Sequence, residues 1–153
     1  MNVCMPSPVD SVRIRLSFVG DPVIEIPAPS KIQEDISSSE LKIQYKTVAV
    51  LNRPESRVDI IVTMVYFIEQ TMVFSGSLTT GFEVVDLASF ITAKEGEDGF
   101  QIGSDFLPLL LNIAFSTTRG YMARELSGSA LATYPFPMVS MEGIQKRTTY
   151  RLI

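Results

Sequence analysis

The sequence predicts an α+β fold: a four-stranded antiparallel β-meander sheet packed with one long helix and followed by a Pro-rich apolar segment. Three observations predict it. Apolar and polar residues alternate over consecutive stretches between Ser11 and Phe82, the period of half-buried strands. One later stretch spaces its apolar residues by three and four, the period of a helix packed on one side. After it, Tyr134, Phe136, Met138, Val139 and Met141 crowd around Pro135 and Pro137. Proline can neither continue a helix nor join the middle of a sheet, because it lacks the N–H that both require.

The first strand covers Ser11–Phe18, with Val12, Ile14, Leu16 and Phe18 on one face and Ser11, Arg13, Arg15 and Ser17 on the other. Gly20-Asp21-Pro22 interrupts it, and Val23–Ile26 resumes extended structure before Pro27 and Pro29. A polar connection follows, broken only by Ile32 and Ile36. The second strand spans Leu41–Leu51. Its phase slips after Tyr45, placing Val48 and Val50 on the former polar face, which predicts a bulge or twist. The third, Arg57–Ile68, is apolar on both faces and therefore central or covered on both sides. Glu69-Gln70 turns into the fourth, with Met72, Phe74, Leu78 and Phe82 in a row and Gly76 leaving a gap. "VVDLASFI" reads as a short helix, and Glu95–Gly103 as a solvated loop that lacks a phosphate-loop ending. Ser104 or Asp105 caps the long helix, Pro108 is tolerated in its first turn, and Gly128 terminates it. Leu107, Leu110, Leu111, Ala114, Thr118 and Tyr121 form its stripe; Phe106, Leu109 and Ile113 widen it, so that it contacts something on two sides.

Composition narrows the function. The 153 residues predict one domain, with 1–10 disordered and 145–153 a short C-terminal extension. No apolar run approaches the ~20 residues of a membrane span, and the N-terminus carries no secretory pattern, which predicts a cytoplasmic protein without membrane insertion. A single cysteine, Cys4, fits a reducing compartment. The net charge of −4 argues against nucleic acid as a partner; the cluster Lys146–Arg151 reads as a solubilising edge. The absence of histidine removes Ser–His–Asp and Cys–His catalysis and the usual zinc sites. The carboxylates form no recognisable acid/base pair. No catalytic residue, metal or cofactor is expected. One helix covers one side of a sheet, so leftover apolar surface predicts oligomerisation, ligand binding or both.

In this order the elements resemble the SecB family of export chaperones and their SecB-like relatives, over residues 13–144. "RIRLSFVGDPVIEIPAP" looks like the family's opening strand, with Asp21, Glu25 and Pro27 in its Asp-x-x-x-Glu-x-Pro pattern. "RVDIIVTMVYFIEQTMVFSGSLTTGFEV" is similar to its long third and fourth strands, ending in a Gly-aromatic pair, Gly81-Phe82. "FLPLLLNIAFSTTRGYMARELSG" resembles the main helix. "YPFPMVSMEGI" matches the segment after it, where Pro137 stands nine residues beyond Gly128.

The resemblance implies an ATP-independent holdase that keeps non-native polypeptides in hydrophobic grooves, assembled as a dimer of dimers with the main helix at the interface. On this chain it marks Ile32, Ile36, Tyr134, Phe136, Met138, Val139 and Met141 for client binding. It marks Leu107, Leu111, Phe115 and Tyr121 for the oligomer interface. The fourth-strand acid and the long tail that dock the translocase motor are missing from "VFSGS" and from a chain that stops at Ile153. Asp21 and Glu25 remain as a candidate docking pair, or as ordinary solvated carboxylates. The partner is then a translocase motor or a toxin–antitoxin pair. Tyr134–Met141 is either a groove flap or a cover for the core. Rival readings are a small apolar-ligand carrier and a structural adaptor with one fixed partner.

Overall fold

The computed structural model describes residues 12–33, 36, 40–93, 99–103 and 106–153. The expected disorder of 1–10, Cys4, the helix cap at Ser104 or Asp105 and residues 95–98 of the Glu95–Gly103 loop lie outside the described residues.

The alternating stretches become β1 (Ile14–Val19), β2 (Val23–Glu25), β3 (Leu41–Asn52), β4 (Arg57–Ile68) and β5 (Thr71–Val84). Strands β3, β4 and β5 pair antiparallel through tight turns, with Ser56 and Glu69 at φ 48° and 57°. The fold class is α+β, but the sheet is not a four-stranded meander. β1 and β2 cross over to pair with β5, the last strand of the β3–β4–β5 run, which is a Greek-key order. A sixth strand, β8 (Thr148–Leu152), joins the other edge parallel to β3. The sheet is therefore mixed, in the order β1-β5-β4-β3-β8 with β2 beside β5. The "VVDLASFI" stretch forms a 3₁₀ turn, Leu87–Phe90, followed by β6 (Ile91–Ala93), which pairs with β7 (Phe100–Ile102) in a small separate hairpin.

The inner face of β4 is the centre of the core: Val58, Ile60, Val62, Met64 and Tyr66 have no exposed surface. Each such side chain stabilises the fold by roughly 1.5–3 kcal/mol through burial. Against this face packs α1 (Phe106–Leu126), which buries Leu107, Leu110, Leu111, Ala114, Phe115, Thr118 and Met122. The Met122 thioether occupies the gap left by Gly76, where any β-carbon would collide with it. Gly128, at φ +86°, ends the helical run in the left-handed region. Then come α2 (Met141–Lys146), capped by Ser140, and β8.

Register corrects three expectations. β3 pairs with β4 without a slip, so Val48 and Val50 lie on the outer face while Thr47, Ala49 and Leu51 keep the inner phase. The bulge lies instead in β1, between Leu16 and Phe18. It turns Phe18 to the outer face, level with Gly81, where its ring fills the space a β-carbon would need. A second irregularity pairs Tyr66 with Phe74 but Phe67 with Met72. This moves Met72 out of the inner row and buries Val73.

Candidate functional site

Two segments that are far apart in sequence meet on the helix side of the sheet. The first leaves β2 through Pro27 and Pro29, makes a 3₁₀ turn at Pro29–Ile32, and sinks Ile32 into the core. The second follows α1: Ser129 caps a 3₁₀ turn at Ala130–Thr133, Leu131 is buried, and the chain then extends through Pro135 and Pro137.

With no ladder to join, this second segment is fastened by side chains. The Tyr66 hydroxyl donates to the Tyr134 carbonyl at 2.9 Å, and Arg119 Nε donates to the Phe136 carbonyl at 3.2 Å. The Tyr134 hydroxyl donates to the Ile36 carbonyl at 2.7 Å and so ties the two segments together. These bonds satisfy backbone groups that regular structure would otherwise pair. Burial pushes the Tyr66 hydroxyl pKa up to about 12.

Phe136 is the plug of this seam. Its ring meets Phe115, Tyr45 and Tyr66 edge-on at centroid distances of 5.7, 5.9 and 6.3 Å. Two residues later Met138 is 85% exposed, against 4% for Phe136. The flap-or-cover alternative therefore divides within one short stretch. Ile32 and Phe136 are core; Ile36, Tyr134, Val139 and Met141 are half-buried; Met138 stands in solvent.

The other expected site residues separate. Leu107, Leu111 and Phe115 are buried in the chain's own core, leaving only Tyr121 of that set on the outer side of α1. The apolar row that α1 does present outward is Leu109, Ile113 and Tyr121, at intervals of four and eight. That row was readable in the spacing once the inner stripe was subtracted. Asp21 and Glu25 are exposed at the β1–β2 edge of the sheet, beside exposed Leu16 and Val23. Neither acid is in an ion pair among the described residues.

Among the described residues no helix is long and apolar enough to cross a membrane, and no three His, Cys, Asp or Glu side chains gather as a metal site. No model of a known protein family matches the chain, and no curated protein matches it.

Proposed function

We propose that the protein is an ATP-independent, cytoplasmic holdase that binds non-native polypeptides along the seam where Ile32 and Ile36 meet Tyr134–Met141. The observation that carries this reading is the apolar surface left at the seam: Met138 in solvent, with Val139, Met141 and Ile36 half-covered. Methionine suits such a role, because an unbranched, polarisable side chain adapts to many partners. Each client side chain covered there contributes roughly 1.5–3 kcal/mol, so a few weak contacts suffice without a unique client sequence. Support for a SecB-like architecture comes from the antiparallel strands β1, β5, β4 and β3 backed by α1. Strand β8 is an addition that the resemblance does not imply.

In this reading Leu109, Ile113 and Tyr121 join subunits into a homo-oligomer, a dimer of dimers. Asp21 and Glu25 are solvated and within reach of a docking motor or of a toxin–antitoxin partner. The test is aggregation of a chemically denatured reporter protein in the absence of nucleotide. Suppression at stoichiometric amounts is expected; none at several-fold excess overturns the proposal. Light scattering checks the assembly: Leu109→Asp with Ile113→Asp should yield a folded monomer from a larger species.

A further inference from the structure

The edge of the sheet opposite β1 and β2 combines three features that the seam does not use. The first is an open row of backbone groups. The Arg147 carbonyl accepts from Thr47 N–H at 3.3 Å. Ile153 N–H donates to the Leu51 carbonyl at 2.9 Å, and the Ile153 carbonyl accepts from Arg53 N–H at 3.1 Å. The parallel ladder to β3 thus uses alternate residues of the last strand. The N–H and C=O groups of Thr148, Tyr150 and Leu152 point away from β3, toward the side on which no strand pairs among the described residues.

The second feature is charge. On a protein of net charge −4, exposed Lys46, Arg53, Lys146, Arg147 and Arg151 surround this edge. Lys146 pairs with Glu142 at 3.0 Å and Arg53 Nε donates to the Ile153 main-chain oxygen at 3.3 Å; Lys46, Arg147 and Arg151 have no carboxylate partner among the described residues. The third is a notch of about 290 Å³ beside the edge, lined by Gly99, Phe100, Ile102, Leu107 and Tyr150. Tyr150 and Leu152 lie level with Ala49 and Leu51 of the inner face, whereas Arg151 lies level with Val50 of the outer face.

We propose that β8 is a docking edge for an extended partner peptide in which acidic and apolar residues alternate. The peptide adds as a further strand, its backbone bonding to Thr148, Tyr150 and Leu152. Alternation then directs its apolar side chains toward Tyr150 and the notch, and its carboxylates toward Arg151 and Lys46. The site is separate from the seam and does not rest on the holdase reading.

The experiment uses the full chain and a fluorescein-labelled nonapeptide alternating Glu and Val, with a Lys/Val peptide as its counterpart. Anisotropy should show the acidic peptide binding at least about tenfold more tightly, and Arg151→Glu with Lys46→Glu should weaken it about tenfold. Hydrogen exchange on the unaltered protein should show the Thr148, Tyr150 and Leu152 amides slowed by saturating acidic peptide. Leu152→Pro, which removes an edge N–H but no bond to β3, should abolish binding without lowering the unfolding midpoint by more than a few degrees. Equal binding of the two peptides overturns the proposal, as do unchanged exchange at those amides and tighter binding of oligoadenylate than of the acidic peptide.

Discussion

Both faces of β4 carry apolar side chains, the outer one interspersed with Arg57, Asp59 and Thr63, and they differ most in what covers them. The inner face carries Val58, Ile60, Val62, Met64 and Tyr66, sealed by α1 and by Phe136. The outer face carries Ile61, Val65 and Phe67, extended by Val48 and Val50 of β3, and all five are half-exposed. It is diluted by Lys42 and Lys46 on one side and by the Thr63–Ser77 hydroxyl pair, 2.7 Å apart, on the other. An apolar side chain in a strand is therefore not by itself a core side chain; the covering element decides.

The sharpest contrast should come from cutting one aromatic ring on each face. Phe136→Ser removes the inner plug and should cost about 3–5 kcal/mol in urea unfolding, the range for a truncated core phenylalanine. Phe67→Ser on the outer face should cost about 1 kcal/mol or less. Similar losses would mean that the outer face is covered in solution, and the contrast would break.

Alkali should weaken the inner face next. The Tyr66 hydroxyl titrates near 12 in the fold and near 10 in the unfolded chain, because burial disfavours the phenolate. Its raised value contributes stability that is fully present below pH 10 and is lost as pH rises through about 12. Two units correspond to about 2–3 kcal/mol. Unfolding midpoints measured from pH 9 to 12 should fall, and Tyr66→Phe should flatten the decline. It should also lose about 1 kcal/mol at neutral pH with the bond to Tyr134. Tyr150 is raised in the same direction by burial and adds to the decline.

On the outer face the closest fit is Phe18 over Gly81. Gly81→Ala places a methyl group where the ring lies, so the ring must leave, along with its contact to Arg57, 5.6 Å from the ring centre. A cost of about 1–2 kcal/mol is expected. Phe18→Ala should remove most of the added penalty in a double-mutant cycle, and additivity of the two changes would show that the ring does not rest there.

The long strands were legible because alternation is a local signal, and Arg57–Ile68 was placed to the residue; the short β6 and β7 fell where a helix and a solvated loop were expected. Partner choice was not. Nothing in the residues of β1 says that it pairs with β5, and the bulges that turn Phe18 and Met72 outward leave no mark on the alternation. β8 escaped notice because "TTYRL" carries too little apolar alternation to read as a strand until β3 lies beside it. In the candidate site, Ile36 and Tyr134 share an expected role, but no signal in the residues foretells that they touch. Their joining bond spans 98 residues and has no sequence pattern of its own. The outward row on α1 was present in the spacing, but of the four residues expected at the interface only Tyr121 belongs to it, and Leu107, Leu111 and Phe115 are buried.

The smallest effect on stability falls on the residue that matters most to the proposed function. Met138 lies two positions from the Phe136 plug on the same Pro-bracketed stretch, yet its side chain is 85% exposed. Met138→Ser removes apolar surface that the folded chain does not bury, so the unfolding free energy should move by less than about 0.5 kcal/mol. If the seam holds non-native chains, the same change should raise the protein needed to suppress aggregation severalfold. Phe136→Ser cannot make that separation, because it loosens the fold as well. A Met138→Ser protein with unchanged stability and undiminished holding would move client binding off the Pro-rich segment, leaving that stretch as the cover of the inner face alone.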